Sequence, residues 1–91
     1  MQKERYSELG GIILDACITV HRELGPGLLE SAYEIALTRE LQIRGLQIKR
    51  QVTVEFIYKE VDLGKVYVMD ILVENEIILE IKAAEKLSTN L

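Results

Sequence analysis

Between residues 4 and 23, apolar side chains recur at Tyr6, Leu9, Ile13, Ala16, Cys17 and Val20, with Leu24 just beyond. Steps of three and four predict an amphipathic helix. Gly10 and Gly11 fall in its first half. They either weaken it, at about 1 kcal/mol each relative to alanine, or allow close packing against another element. "LGPGLLES" ends the pattern, because Gly25 suits a left-handed cap and Pro26 cannot continue a helix. A second helix is expected from Gly27 or Leu28 to Gly45, with the stripe Leu29, Ala32, Tyr33, Ala36, Leu37 and Leu41.

From Gln47 the period changes to two. Ile48, Val52, Val54, Phe56 and Tyr58 share one face of a strand, and Lys49, Gln51, Thr53 and Glu55 share the other. "KEVDLG" reads as a turn, "KVYVMDILV" as a second strand, "ENE" as a turn and "IILEIKAA" as a third strand. Ile77, Ile78, Leu79 and Ile81 give that last strand the look of one buried on both faces. The predicted fold is α+β: two N-terminal helices followed by a three-stranded antiparallel meander, one domain over residues 1–91. The tail "EKLSTNL" gives the third strand no following partner, so a second molecule could pair with an open sheet edge.

Composition narrows the functions. The chain has 91 residues, 48% hydrophobic and 29% charged, which is a globular rather than a disordered balance. A net charge of -4 argues against broad electrostatic capture of nucleic acid, but leaves room for a small site where a metal ion supplies positive charge. The single cysteine, Cys17, excludes an internal disulfide and reads as a buried, inert thiol. With no signal-peptide core and no membrane-length apolar run, a cytoplasmic protein is expected. His21, the only histidine, reads as a favourable charge near the first helix's C-terminus.

The candidate chemistry lies in the two last strands. Glu80 and Lys82 are two apart and point the same way along a strand. Ionised groups in an apolar strand cost several kcal/mol, roughly, unless paired or bound. Asp70 lies in the neighbouring apolar stretch "YVMDILV". A three-residue turn, Glu74 to Glu76, pairs Val73 with Ile77 and brings Asp70 opposite Glu80; a two-residue turn puts it on the wrong face. Two carboxylates that close repel unless a cation lies between them, and Mg²⁺ is the natural hard-oxygen choice. A lysine beside the ion can orient water or stabilise developing charge. The plainer reading is a surface Glu80–Lys82 ion pair worth about 0–1 kcal/mol.

"GPGLLESAYE" contains Gly27-x-x-Glu30-x-x-Tyr33, and with "VHRELGPG" before it and "VYVMDILVENEIILEIKAAEKL" after it the chain resembles the GxxExxY protein family. That family is grouped with PD-(D/E)xK nuclease-like proteins, which implies a restriction-endonuclease-like core with a metal site on its second and third strands. The resemblance implies Asp70 as motif aspartate, Glu80 as second acidic residue, Lys82 as motif lysine and Glu30 as a helix glutamate that completes a Mg²⁺ (or Mn²⁺) site. From the residues alone, Glu30 is a first-turn carboxylate favoured by the helix dipole, Tyr33 a core residue with its hydroxyl at an edge, and Gly27 a backbone requirement at the helix start. Relatives of this kind continue into a further helix and strand, so the resemblance implies a truncated core here. Two functions follow as expectations: a metal-dependent nuclease acting on nucleic acid, or a non-catalytic interaction module that keeps the fold.

Overall fold

The computed structural model describes residues 2–82. Helix α1 runs over Gln2–Leu24 and α2 over Glu30–Ile43; strands β1 (Ile48–Tyr58), β2 (Val61–Val73) and β3 (Ile77–Leu79) follow. The sheet order is β1-β2-β3 and both pairings are antiparallel, so the fold is an α+β meander. The helical stripe is what buries: Leu9, Ile13, Ala16 and Val20 of α1 lie inward, as do Leu37 and Leu41 of α2. Most of them close over Ile71 and Val73 of β2, which are fully buried, while Ile48, Ile77, Leu79 and Ile81 pack at the margin.

Between the helices, Gly25 and Gly27 take φ of +71° and +98°, conformations that cost a residue with a side chain more than they cost glycine. The Gly25 N–H donates to the His21 carbonyl at 2.8 Å and closes α1. The turn outlasts the expected helix start: Leu28 and Leu29 stay outside, and α2 begins at Glu30. Gly10 and Gly11 serve no close approach, since a Cβ at either would meet nothing within 4 Å. Arg44 fastens the helices together, reaching Asp15 Oδ2 at 2.5 Å, Thr19 Oγ1 at 3.0 Å and Glu40 Oε2 at 3.0 Å.

The strands differ from the expected pattern in three places. The β1–β2 turn is confined to Lys59 and Glu60, and Val61–Gly64 belong to β2. Register shifts at Val54/Glu55 and Phe56/Ile57 break the period of two in β1, and Phe56, Ile57 and Tyr58 are exposed rather than on a covered face. The helices lie over the other end of the sheet, where β1 begins and β2 ends. Finally, β3 is three residues long and covered on one side only: Ile78 is 49% exposed, while Ile77 and Leu79 pack on the core. Ala83 and Ala84, expected to continue that strand, and the tail lie outside the described residues.

Candidate metal and phosphodiester site

The β2–β3 hairpin sets the site. Glu74 and Asn75 have φ of +54° and +58°, the φ pattern of a type I′ turn, and the Glu76 N–H donates to the Val73 carbonyl at 2.9 Å. Val73 pairs with Ile77, Leu72 with Ile78 and Ile71 with Leu79. One further step along this register puts Asp70 opposite Glu80, as an odd-length turn requires. The ladder stops at Leu79, and Asp70 takes over: its Oδ2 accepts the Ile81 N–H at 2.9 Å. Asp70 thereby holds the main chain between Glu80 and Lys82. Both of those side chains are exposed. Water therefore removes most of the burial cost that a strand covered on both faces would have imposed.

Tyr67, on the same strand as Asp70, donates its hydroxyl to Glu80 Oε1. This bond is the main reason its phenol titrates above the ordinary tyrosine value; some desolvation and the negative charges of Glu80 and Asp70 add to it. Tyr67 thus feels both carboxylates. The sequence pattern gave it no role, because an apolar-strand tyrosine looks like any other. Glu30 opens α2 as its first residue and is exposed. Among the described residues no three His, Cys, Asp or Glu side chains gather as a metal cluster.

A second polar group lies between α2 and β1. Glu34 is buried, at 6% exposure, and accepts from Arg50 Nε at 3.0 Å and from Gln51 Nε2 at 3.0 and 3.1 Å. Successive strand residues should point to opposite faces, yet Arg50 and Gln51 both reach Glu34. Gln51 does so with φ of +52°, and the paired positions skip from Arg50–Ile71 to Val52–Met69. The residue skipped on β2 is Asp70. The sequence offers one weak signal of this, a glutamate beside Tyr33 in the apolar stripe of α2.

Where α1, α2 and the segment after β3 meet, a cleft of about 230 Å³ opens. Its apolar lining is Cys17, Val20, Leu37 and Ile81; its polar lining is His21, Tyr33, Glu80 and Lys82. Tyr33 also builds the adjoining turn, donating its hydroxyl to the Gly25 carbonyl at 2.5 Å and accepting the Leu28 N–H at 3.3 Å. Burial raises the Cys17 thiol above its ordinary pKa.

A family profile described as the PD-(D/E)XK nuclease superfamily matches residues 7–91. The chain belongs to the PD-(D/E)XK nuclease superfamily. No curated protein and no solved structure matches it. PD-(D/E)XK proteins typically use divalent metal ions, and the donor set here suits one. Asp70 and Glu80 each commit one oxygen to a hydrogen bond, leaving Asp70 Oδ1 and Glu80 Oε2 without one among the described residues. Two hard oxygens with room for water match the way Mg²⁺ is held by one or two carboxylates plus phosphate. Lys82, two residues beyond Glu80, lines the same cleft as Glu80.

Proposed function

We propose that this PD-(D/E)XK chain, of the GxxExxY kind, is a Mg²⁺- or Mn²⁺-dependent nuclease that hydrolyses phosphodiester bonds of nucleic acid. What supports this reading is the hairpin register from Val73–Ile77 to Ile71–Leu79, which continued by one step would set Asp70 opposite Glu80, together with the Ile81 N–H on Asp70 Oδ2. Asp70 Oδ1 and Glu80 Oε2 would hold the ion, and Glu30 would serve as an auxiliary ligand. When bound, a divalent ion lowers the pKa of a coordinated water and offsets phosphate charge. Asp70 restrains the Glu80–Lys82 backbone through the Ile81 N–H. Lys82 donates to the attacking water or to the phosphoryl oxygens where negative charge grows. Tyr67 holds Glu80 Oε1, so Oε2 would be the oxygen left for the ion.

Calorimetric titration of Mn²⁺ into the wild type and into Asp70→Asn tests the site. About one ion per chain is expected for the wild type, with binding lost in the variant. Lys82→Ala should keep that binding and lose roughly 10²- to 10³-fold in cleavage of an oligonucleotide, as expected for removal of one preorganised donor. A folded wild type that binds no Mn²⁺ would overturn the reading.

A further inference from the structure

The cleft beside the carboxylates has an imidazole on it that the proposed reaction has not used. His21 lies on the last turns of α1, far in sequence from Glu80 and Lys82, yet lines the same space as both. Its place is fixed twice over. Cys17, one turn back on α1, and the preceding residue Val20 line the cleft with it, and its own carbonyl is tied to Gly25 N–H at 2.8 Å. The Gly25 carbonyl in turn accepts the Tyr33 hydroxyl, and Tyr33 lines the cleft too. The histidine is exposed, so its ring is not consumed by core packing. Among the described residues lining this cleft, the side chains that can donate a nitrogen-bound hydrogen are His21 and Lys82.

We propose that His21 is a phosphate-binding residue: with Lys82 it contacts the phosphate of a single nucleotide unit whose sugar and base edge rest on the apolar lining. This rests on the nuclease reading and names a residue and a substrate unit for it. Three properties of the cleft support the occupant. A phosphate brought beside Asp70 and Glu80 meets two carboxylates, so protein donors must face it from another side, and α1 supplies one. An imidazole keeps a ring N–H in either protonation state, so the contact needs no particular pH. The volume of about 230 Å³ falls below the ~300–1,000 Å³ of sites that enclose a drug-sized ligand, so the cleft takes the phosphate and part of one nucleotide unit and excludes a duplex. Cys17, Val20, Leu37 and Ile81 offer no polar group to a base edge, so the cleft should discriminate little among bases.

Because His21 is the sole histidine, its ring protons give one set of imidazole signals in a proton NMR spectrum. The probe is thymidine 5′-monophosphate, added to the full chain with Mg²⁺ and again with a chelator, and its affinity is measured by calorimetry. The His21 signals should shift saturably with the probe. His21→Ala should weaken probe binding about tenfold, the worth of one charge-assisted hydrogen bond, and leave Mn²⁺ affinity within about twofold. His21→Gln, which restores an N–H donor, should recover part of the loss. Unmoved imidazole signals at high probe concentration, or probe affinity in His21→Ala equal to wild type, overturn the proposal. If the wild type binds no divalent ion while the imidazole still responds to the probe, the phosphate site stands and the nuclease reading falls. If neither metal nor probe binds, both fall.

Discussion

Asp70 shows how one side chain can serve structure and chemistry together. One oxygen replaces a ladder hydrogen bond where β3 ends, by accepting the Ile81 N–H, and the other makes no hydrogen bond among the described residues. Tyr67 and Glu80 divide in the same way, with one carboxylate oxygen held and one left. Cys17 is the contrasting case. It lines the cleft and is half-buried rather than the fully buried thiol that its sequence neighbours suggest; that partial burial raises its pKa, which leaves less thiolate at neutral pH. The sign is definite: a raised thiol pKa slows every reaction that needs the anion. Alkylation by iodoacetamide at pH 8 should therefore run at least about tenfold slower in the native chain than in urea, followed by mass spectrometry. Equal rates would mean that Cys17 is neither shielded nor shifted, and a nucleophilic role would have to be considered.

At the scale of elements, the two helices were legible because they rest on a local rule: spacing of three and four marks Leu9, Ile13, Ala16 and Val20. Turn parity left two hairpin registers open, and the Val73–Ile77 pairing decides between them. What was not legible depends on contacts distant in sequence. Period-two reasoning assigns Gln51 to the face away from Arg50; a positive φ, held by Glu34 from a helix 17 residues earlier, reverses it. The covered length of β1 also could not be read, since Phe56 and Tyr58 look like core residues until the helices prove to lie over the other end of the sheet. Glu34 is then the element-scale test. Its loss leaves the Gln51 amide and the Arg50 guanidinium without their acceptor, although Arg50, with its side chain 39% exposed, can turn to water. That exposure lowers the cost below the figure for breaking a fully buried pair. Glu34→Ala should lose about 1–3 kcal/mol in urea unfolding at unchanged m-value. A loss under about 0.5 kcal/mol would show that the α2–β1 clamp contributes only surface-pair energy.

For the molecule as a whole, the sign of the charge decides how nucleic acid can approach. The net charge is -4, and three arginines are already engaged: Arg5 with Glu74 and Glu76, Arg44 with Asp15 and Glu40, Arg50 with Glu34. Those guanidinium groups do not add to a field that would draw phosphates in. On the proposed nuclease reading, Asp70 and Glu80 would make the approach of a phosphate worse. A divalent ion on Asp70 and Glu80 would offset both of their negative charges in one binding event and leave Lys82 as the local excess charge. Binding should then depend on the ion and only weakly on salt, because few phosphates are neutralised by side chains; a slope of roughly -1 to -2 in log K against log salt corresponds to one or two such contacts. Fluorescence anisotropy of a labelled oligonucleotide, read with Ca²⁺ in place of Mg²⁺ and again in chelator, measures both quantities. Binding with the ion and none in chelator is the expected result, and Asp70→Asn should behave in Ca²⁺ as the wild type behaves in chelator. Equal binding in chelator would place the nucleic acid on some other surface, and a steep salt slope would mean a basic track that the ion pairs of Arg5, Arg44 and Arg50 argue against.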